Sequence, residues 1–317
     1  MTAIRMRVAR VDILTPGIKR LFLAAKDGAV LPEFEAGAHI GLQVPINGGT
    51  QRRAYSLVNP TDWEHGYEIA VQLERASTGG SKWVHRLNVG DELDVELPRN
   101  DFSLVEGGDL KYLLLAGGIG ITPILAMARV LAKADRPFSL HYAARDPDSM
   151  AYRDEVQALP RGKCWFDGGD PSRGIPLDRL LAQPFSNTHV YVCGPKGLID
   201  AVKSKASALG WSADQVHSEV FQTTAITGAD TSFEVELAVS KRTLQIPSNQ
   251  TILDVMIAAG LDPLFDCRRG DCGVCVARVI DGVPDHRDIC LSASNRQQGD
   301  FCPCVSRAKS ARLILDI

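Results

Sequence analysis

Three cysteines lie close together in the segment DCRRGDCGVC, residues 266–275. They are Cys267, Cys272 and Cys275, so four residues separate the first two and two residues separate the last two. Structural zinc sites usually combine C-x2-C pairs, and the first gap here does not match that pattern. A C-x4-C-x2-C run followed by a distant fourth cysteine is the spacing of plant-type 2Fe-2S clusters. We therefore predict a 2Fe-2S cluster on this loop, with a zinc knuckle as the alternative.

The fourth ligand must come from later in the chain, where Cys290, Cys302 and Cys304 are available. Plant-type clusters take their last cysteine roughly thirty residues after the third. Cys304 lies 29 positions after Cys275 (304 − 275), and Cys302 lies 27 positions after it. We choose Cys304 as the ligand and interpret Cys290 and Cys164 as small buried side chains.

The segment RAYSLV is a candidate contact for a second redox group. An iron–sulfur cluster carries single electrons and cannot accept a hydride, so a chain that oxidises a nicotinamide also needs a flavin to divide the electron pair. The residues of interest are Arg53, Ala54, Tyr55 and Ser56. On its own, this motif favours an exposed edge strand that carries ordinary polar residues.

A glycine-rich helix start, STGGSKWVH, follows later in the chain. Gly79, Gly80 and Ser81 open this predicted helix, where free backbone N–H groups attract anions. Together with Arg53, they are suited to holding a phosphate. We predict that this loop and the RAYSLV strand form one flavin site, in which the tyrosine and serine contact the sugar-like chain and the ring edge.

Two further loops with glycines follow predicted strands, in LLLAGGIGITP and YVCGP. The first permits a tight turn and a close approach to a pyrophosphate, although it is not the strict G-x-G-x-x-G fingerprint. In open α/β sheets, ligands bind beyond the carboxyl ends of the strands, where both loops lie. We predict a nicotinamide-nucleotide site here, the alternative being simple tight turns. Its residues are Gly117, Gly118, Gly120, Thr122, Cys193, Gly194 and Pro195.

Two residues bear on the choice of nucleotide. The strand PFSLHYAAR ends at Arg145, and Asp146 follows it. Asp146 is placed to bond the ribose 2′-OH of NADH, whereas Arg145 is placed to meet the 2′-phosphate of NADPH. These residues by themselves leave both donors open.

The pattern of apolar residues changes along the chain. Residues 1–104 contain six short, often alternating strands and one helix, which predicts an antiparallel β-barrel. Residues 109–221 alternate strands with helices, one of them SMAYRDEVQAL, which predicts an α/β domain with a parallel sheet. Residues 222–232 are small and polar and are a predicted linker. Residues 233–317 combine hairpins with a helix, which predicts a small α+β unit around the cysteine loop.

Composition restricts the remaining classes of function. A net charge of −3 over 317 residues gives no general case for nucleic acid or an anionic membrane as partner. No apolar run is long enough to span a bilayer, and the N-terminus lacks the core of a signal peptide. We therefore expect a cytoplasmic protein whose eight cysteines are ligands, core residues or redox groups rather than a disulfide framework.

The motifs RAYS, GGIGITP and CGP resemble, in this order, those of the ferredoxin–NADP reductase superfamily. With the C-terminal cysteine pattern and the segment CVSRAKS, the chain resembles the phthalate dioxygenase reductase family over essentially its whole length. The resemblance implies a β-barrel flavin domain, an α/β nucleotide domain and a β-grasp ferredoxin domain. It also implies that FMN rather than FAD is bound, that NADH is the electron donor and that a Rieske-type non-haem-iron oxygenase is the acceptor.

The resemblance implies roles for single residues as well. Arg53 and residues 79–81 would hold the FMN phosphate, and Ser56 would lie near the reactive edge of the flavin. Cys193 would line the path of NADH, and Phe221 would cover the flavin unless it is a core residue. Ser56, Cys193 and Phe221 form the predicted catalytic set. A different class of function is a self-contained NAD(P)H reductase of a small molecule, with the cluster as an accessory.

Overall fold

The computed structural model describes residues 3–46, 48–59, 66–74, 79–221, 230–265, 267–270, 272–291 and 293–317. The chain forms two compact units, Met1–Glu219 and Val220–Ile317. Most of the predicted linker at 222–232 and two residues of the cysteine loop, 266 and 271, lie outside the described residues. Within the described ranges, no helix has both the length and the apolar composition needed to cross a bilayer.

The first unit begins with a six-stranded antiparallel sheet in the order β4-β3-β6-β1-β2-β5. Met6 and Val8 on β1 are fully buried, and Val8 pairs with the equally buried Leu23 on β2. The end strands β4 and β5 contact each other, so the sheet closes into a barrel around this apolar face. The elements are β1 (Ala3–Thr15), β2 (Ile18–Ala25), β3 (His39–Ile46), β4 (Gly49–Ser56), β5 (Tyr67–Gln72), α1 (Gly80–Arg86) and β6 (Glu92–Glu96).

A five-stranded parallel sheet in the order β11-β10-β7-β8-β9 completes the first unit. The order reverses between β7 and β10, and such a switch point opens a crevice at the carboxyl ends of the strands. The predicted helix SMAYRDEVQAL is shorter than expected, because Tyr152 has a left-handed φ of 57° and α3 begins only after it. The elements are β7 (Lys111–Gly117), α2 (Ile121–Lys133), β8 (Phe138–Ala144), α3 (Arg153–Ala158), β9 (Gly162–Phe166), α4 (Leu177–Leu180), β10 (Thr188–Cys193), α5 (Lys196–Ala208) and β11 (Val216–Glu219).

The second unit is built on a mixed sheet in the order β13-β12-β18-β14-β16, in which β12 and β18 are parallel. Helix α6 starts where the Thr251 hydroxyl accepts a hydrogen bond from the backbone N–H of Asp254, as the capping pattern predicts. Its Ile252 and Met256 pack on the sheet. The elements are β12 (Phe233–Leu237), β13 (Arg242–Ile246), α6 (Ile252–Ala258), β14 (Ala277–Asp281), β15 (Pro284–Asp285), α7 (Ala293–Gln297), β16 (Asp300–Phe301), β17 (Arg307–Ala308) and β18 (Arg312–Leu315).

Candidate functional site

The cysteine loop is folded tightly at its glycines. Gly270 and Gly273 have φ values of 77° and 72°, which other residues rarely adopt. A Cβ atom on Gly270 would lie 2.6 Å from Cγ2 of Val305 and 3.0 Å from Cα of Asp288. Only glycine therefore lets this loop pack against the segment that follows Cys304.

Three of the sulfurs meet in a buried cluster. Cys275, Cys302 and Cys304 pack together with Leu253 and Val305. Hydrogen bonds from the thiols of Cys302 and Cys304 lower the pKa of Cys275 to about 3, and the same bonds raise the pKa of both donors. These hydrogen bonds favour the thiolate form of Cys275, which is the form that binds iron.

The surroundings of the two candidate fourth ligands differ. Cys304 also accepts a hydrogen bond from the backbone N–H of Gly270 and is influenced by the charge of Cys267. Cys302 instead lies beside Cys290. The backbone N–H of Arg269 donates to Sγ of Cys267 at 3.3 Å, which is the kind of contact that tunes a cluster. The residues present fit a 2Fe-2S cluster, and the contacts favour Cys304 over Cys302 within its ligand set.

The predicted phosphate site brings β4 and α1 together. A Cβ atom on Gly80 would lie 2.9 Å from Nε of Arg53, so the arginine side chain lies directly across the start of the helix. The Arg53 guanidinium also donates to Oε1 of Gln51 at 2.8 Å. Gly79, just before the helix, has a φ of 123° that requires glycine. A cationic side chain and the first N–H groups of a helix therefore share one place, which suits a single phosphate.

The other residues of the flavin motif differ in what occupies their polar atoms. Ser56 is buried, and its hydroxyl has no hydrogen-bond partner among the described residues. Burial raises the pKa of Tyr55 to about 12. The Ser81 hydroxyl accepts from the backbone N–H of Glu74 at 3.1 Å, so its side chain serves the fold. The unpaired Ser56 hydroxyl is the observation that points to a missing ligand, because buried polar groups are normally hydrogen-bonded.

The two predicted nucleotide loops meet at the switch point of the parallel sheet. A Cβ atom on Gly117 would lie 2.7 Å from Cδ of Pro195, and one on Gly120 would overlap the carbonyl of Cys193. These glycines are required because the loops touch each other. A Cβ on Gly118 would meet nothing within 4 Å. With its φ of 54°, Gly118 is the glycine whose backbone is open to a ligand.

Comparison with known proteins gives matches on both parts of the chain. Residues 114–204 match a family model described as an oxidoreductase NAD-binding domain. Residues 235–309 match one described as a 2Fe-2S iron-sulfur cluster binding domain. The second match spans the four predicted cysteine ligands, and the first spans both nucleotide loops.

Full-length relatives match as well. Phthalate dioxygenase reductase of Burkholderia cepacia is 37% identical over 99% of this chain and 97% of its own length. A solved structure of phthalate dioxygenase reductase, described as modular for electron transfer from pyridine nucleotides to [2Fe-2S], has a TM-score of 0.76 at 37% identity and covers 99% of this chain and 98% of that one. The chain belongs to the phthalate dioxygenase reductase family.

Two other relatives have different names. Vanillate O-demethylase oxidoreductase of Pseudomonas sp. strain HR199 is 41% identical to this chain, and the alignment covers 98% of each of the two chains. The heme-dependent oxidative N-demethylase beta subunit of Ectopseudomonas mendocina is 40% identical and covers 100% of this chain and 99% of its own. The predicted family, fold class and function class, an electron-transferring oxidoreductase, are confirmed, as are NAD binding and the 2Fe-2S cluster.

Several residues that were predicted to bind the nucleotide have contacts within the protein itself. The Asp146 carboxylate accepts from the backbone N–H of Ser149 at 2.8 Å in a capping box, and both Arg145 and Asp146 are exposed. The Thr122 hydroxyl donates to the carbonyl of Ile119 at 3.0 Å. Cys193 is fully buried. Roles for these side chains toward the nucleotide stay predictions.

Phe221 is half-buried and falls in the unit Val220–Ile317, not in the unit that carries the flavin motif. Its predicted place over the flavin therefore stays a prediction.

Sequence reasoning missed a buried polar network behind the flavin motif of the reductase. Arg129 on α2 donates to the carbonyl of Val58 and makes a bidentate ion pair with Glu155, with N–O distances of 2.6 and 2.7 Å. Glu68 on β5 accepts from the hydroxyl of Tyr152 at 2.8 Å and lies 3.7 Å from Arg129. The network joins the barrel to the parallel sheet two residues after Ser56. No local spacing signals it, since its members are far apart in sequence.

Proposed function

We propose that this reductase takes electrons from NADH at a flavin held by the barrel and passes them singly, through the cluster at residues 267–304, to an oxygenase. The observation that carries the proposal is that one chain joins an NAD-binding domain to a 2Fe-2S domain and is related over its full length to oxygenase reductases. A bound flavin supplies the step between hydride and single-electron chemistry.

Arg53 and the backbone N–H groups at the start of α1 hold the flavin phosphate in this proposal. They make one anion site, which fits the single terminal phosphate of FMN, and this is the physical reason to prefer FMN to FAD. The buried Ser56 hydroxyl donates to a polar atom of the flavin ring, which would satisfy it. Tyr55 is protonated at neutral pH, as any tyrosine with its ordinary pKa is, and burial raises its pKa further, so it packs and donates rather than carrying charge.

The switch-point loops orient the nicotinamide nucleotide. Gly118 gives the pyrophosphate access to the backbone, while Gly117 and Gly120 keep the two loops in contact. The free oxygen of Asp146 bonds the ribose 2′-OH, which favours NADH over NADPH. Cys193 supports the nucleotide loop from within the fold rather than presenting a reacting thiol, because its side chain is fully buried.

The acceptor is proposed to be a Rieske-type oxygenase, as the resemblance to the phthalate dioxygenase reductase family implies. Its competitor is a haem enzyme, since one relative at 40% identity is named as a subunit of a heme-dependent N-demethylase. The cytoplasm is the proposed location, because the predicted ligand cysteines need reduced thiols. Pairing the purified reductase with one oxygenase of each kind, and measuring NADH-dependent product formation, separates the two acceptors.

The division of labour is tested with Cys272→Ser, and Cys164→Ser serves as the matched control. The Cys272 variant should lose NADH-dependent reduction of cytochrome c, a one-electron acceptor, while NADH still bleaches the flavin. The control should keep both activities. If a well-folded Cys272 variant also lost flavin bleaching, the assigned division would be wrong.

Two further measurements identify the flavin and the electron donor. Mass spectrometry of the flavin released by denaturing the purified protein should give the mass of FMN. Comparing kcat/KM for NADH and NADPH should favour NADH, and Asp146→Ala should narrow that preference. Release of FAD, or a preference for NADPH, would contradict the corresponding assignment.

A further inference from the structure

Two thiols outside the proposed ligand set lie side by side in the second unit. Sγ of Cys290 and Sγ of Cys302 are 3.4 Å apart. Cys302 is fully buried, whereas Cys290 is only half-buried. Cys290 lies against the ligand loop, since a Cβ on Gly273 would sit 4.0 Å from its sulfur.

Backbone hydrogen bonds fix both thiols. The N–H groups of Ile289 and Cys290 donate to the carbonyl of Gly270 at 2.9 and 3.2 Å. On the other side, the N–H groups of Val305 and Ser306 donate to the carbonyl of Cys302 at 3.2 and 2.9 Å. Little chain entropy therefore remains to be lost when the two sulfurs react with each other.

A metal ion is a poorer occupant of this place than a sulfur–sulfur bond. Ligand atoms of Asp288, Cys290 and Cys302 lie within 4.8 Å of one another. However, the Asp288 carboxylate already accepts from the backbone N–H of Leu291 at 3.2 Å and from Arg296 at 3.0 Å. A metal would have to displace these donors from a fully buried carboxylate.

We propose that Cys290 and Cys302 form a reversible disulfide when the protein meets a peroxide. The Cys290 sulfur, which is the more accessible, attacks the O–O bond, giving a sulfenic acid and one water. The Cys302 sulfur then attacks the Cys290 sulfur, so that the S–S bond forms, the S–O bond breaks and a second water leaves. The two sulfurs lose two electrons to the peroxide, and both thiol protons end in water.

The Cys290–Cys302 pair lies next to the proposed cluster ligands, where its oxidation would protect them. Cys302 touches the ligand Cys275 and lies two residues before the ligand Cys304. Oxidation of the pair removes peroxide beside the cluster while the ligand sulfurs stay bound to iron. The inference rests on the proposed ligand set but not on the identity of the oxygenase.

Anaerobically purified holoprotein treated with one equivalent of hydrogen peroxide tests the proposal. After denaturation and alkylation, the treated protein should carry two alkyl groups fewer than the untreated protein, with one cross-linked peptide pair joining Cys290 to Cys302. The visible absorption of the cluster should persist, and dithiothreitol should reverse the mass change. Cys290→Ser and Cys302→Ser should keep the cluster and lose the mass change, and the control Cys164→Ser should retain it.

Other outcomes would overturn the proposal. One is a disulfide that includes Cys275 or Cys304, formed together with bleaching of the cluster. Another is the absence of any disulfide at peroxide levels that already bleach the cluster. If Cys302→Ser purified without iron, Cys302 would itself be a ligand, which excludes the pair and also overturns the choice of Cys304. The cytochrome c result with Cys272→Ser is independent of all three outcomes.

Discussion

The most specific structural prediction concerns Arg129, which joins the parallel-sheet part of the first unit to the barrel. Its guanidinium bonds the carbonyl of Val58, pairs with Glu155 and lies near Glu68. Arg129→Met keeps the length and the apolar packing of the side chain and removes its charge and donors. The change leaves the Val58 carbonyl without this donor and leaves Glu68 beside one fewer cation.

The cost follows from burial. The side chains of Arg129 and Glu68 are 16% and 6% exposed, so the charge left behind is poorly solvated. Removing one member of a buried pair costs about 3–5 kcal/mol, and the 37% exposure of Glu155 reduces this to about 2–3 kcal/mol. For a unit of this size, that lowers the unfolding midpoint by roughly 4–12 °C.

Thermal unfolding followed by circular dichroism measures the midpoint. Lys205→Met is the matched control, because its ion pair with Asp178 is exposed and should contribute less than about 1 kcal/mol. The flavin content of both variants should be measured as well, since Val58 lies two residues after Ser56. If Arg129→Met lowered the midpoint no more than Lys205→Met does, the network would not hold the two parts together.

Three further predictions concern other parts of the protein. Gly120→Ala should weaken NADH binding by about 1–3 kcal/mol, or roughly 5- to 150-fold in the dissociation constant, because its Cβ forces the two nucleotide loops apart. Gly108→Ala, whose Cβ would meet nothing within 4 Å, is the control, and titration with NADH distinguishes the two variants. Burial lowers the pKa of His217 from 6.5 to about 4, so the stability gained by keeping it neutral is present above pH 6.5 and is lost as the pH falls toward 4. In His217→Phe, the free energy of unfolding should fall less between pH 6.5 and pH 4, as measured by unfolding curves across that range. Arg287→Met breaks a buried bidentate ion pair with Asp230, whose N–O distances are 2.6 and 3.0 Å. The variant should lose the visible absorbance of the cluster faster on heating.

Much of the fold follows from local patterns in the sequence. Alternating apolar residues predicted the barrel strands, and the cap at Thr251 predicted where α6 begins. The cysteine spacing predicted a cluster that the matched 2Fe-2S domain confirms. In each case, the physical cause acts between residues that are close in sequence.

What the sequence did not predict depends on distant contacts. SMAYRDEVQAL has a helical pattern, but the left-handed Tyr152 interrupts it and directs its hydroxyl to Glu68 on the barrel. The hydrogen bond that the Ser81 hydroxyl accepts from the backbone N–H of Glu74 was not predicted either. The glycines at 117 and 120 were predicted from a tight turn and from ligand binding, and the structure shows a further requirement, the contact between the two loops. Tertiary partners decide these details, and no single window of sequence contains them.

Electron transfer from NADH to the cluster is tested most directly by electron paramagnetic resonance of the anaerobic protein before and after NADH is added, with iron and acid-labile sulfide counted on the same sample. We expect iron and sulfide in the equal amounts of a 2Fe-2S cluster, a silent spectrum before NADH and the signal of a reduced cluster after it. In Cys304→Ser, that signal should be lost or altered. Zinc in place of iron, or rapid NADH oxidation with a cluster that stays silent, would contradict this expectation.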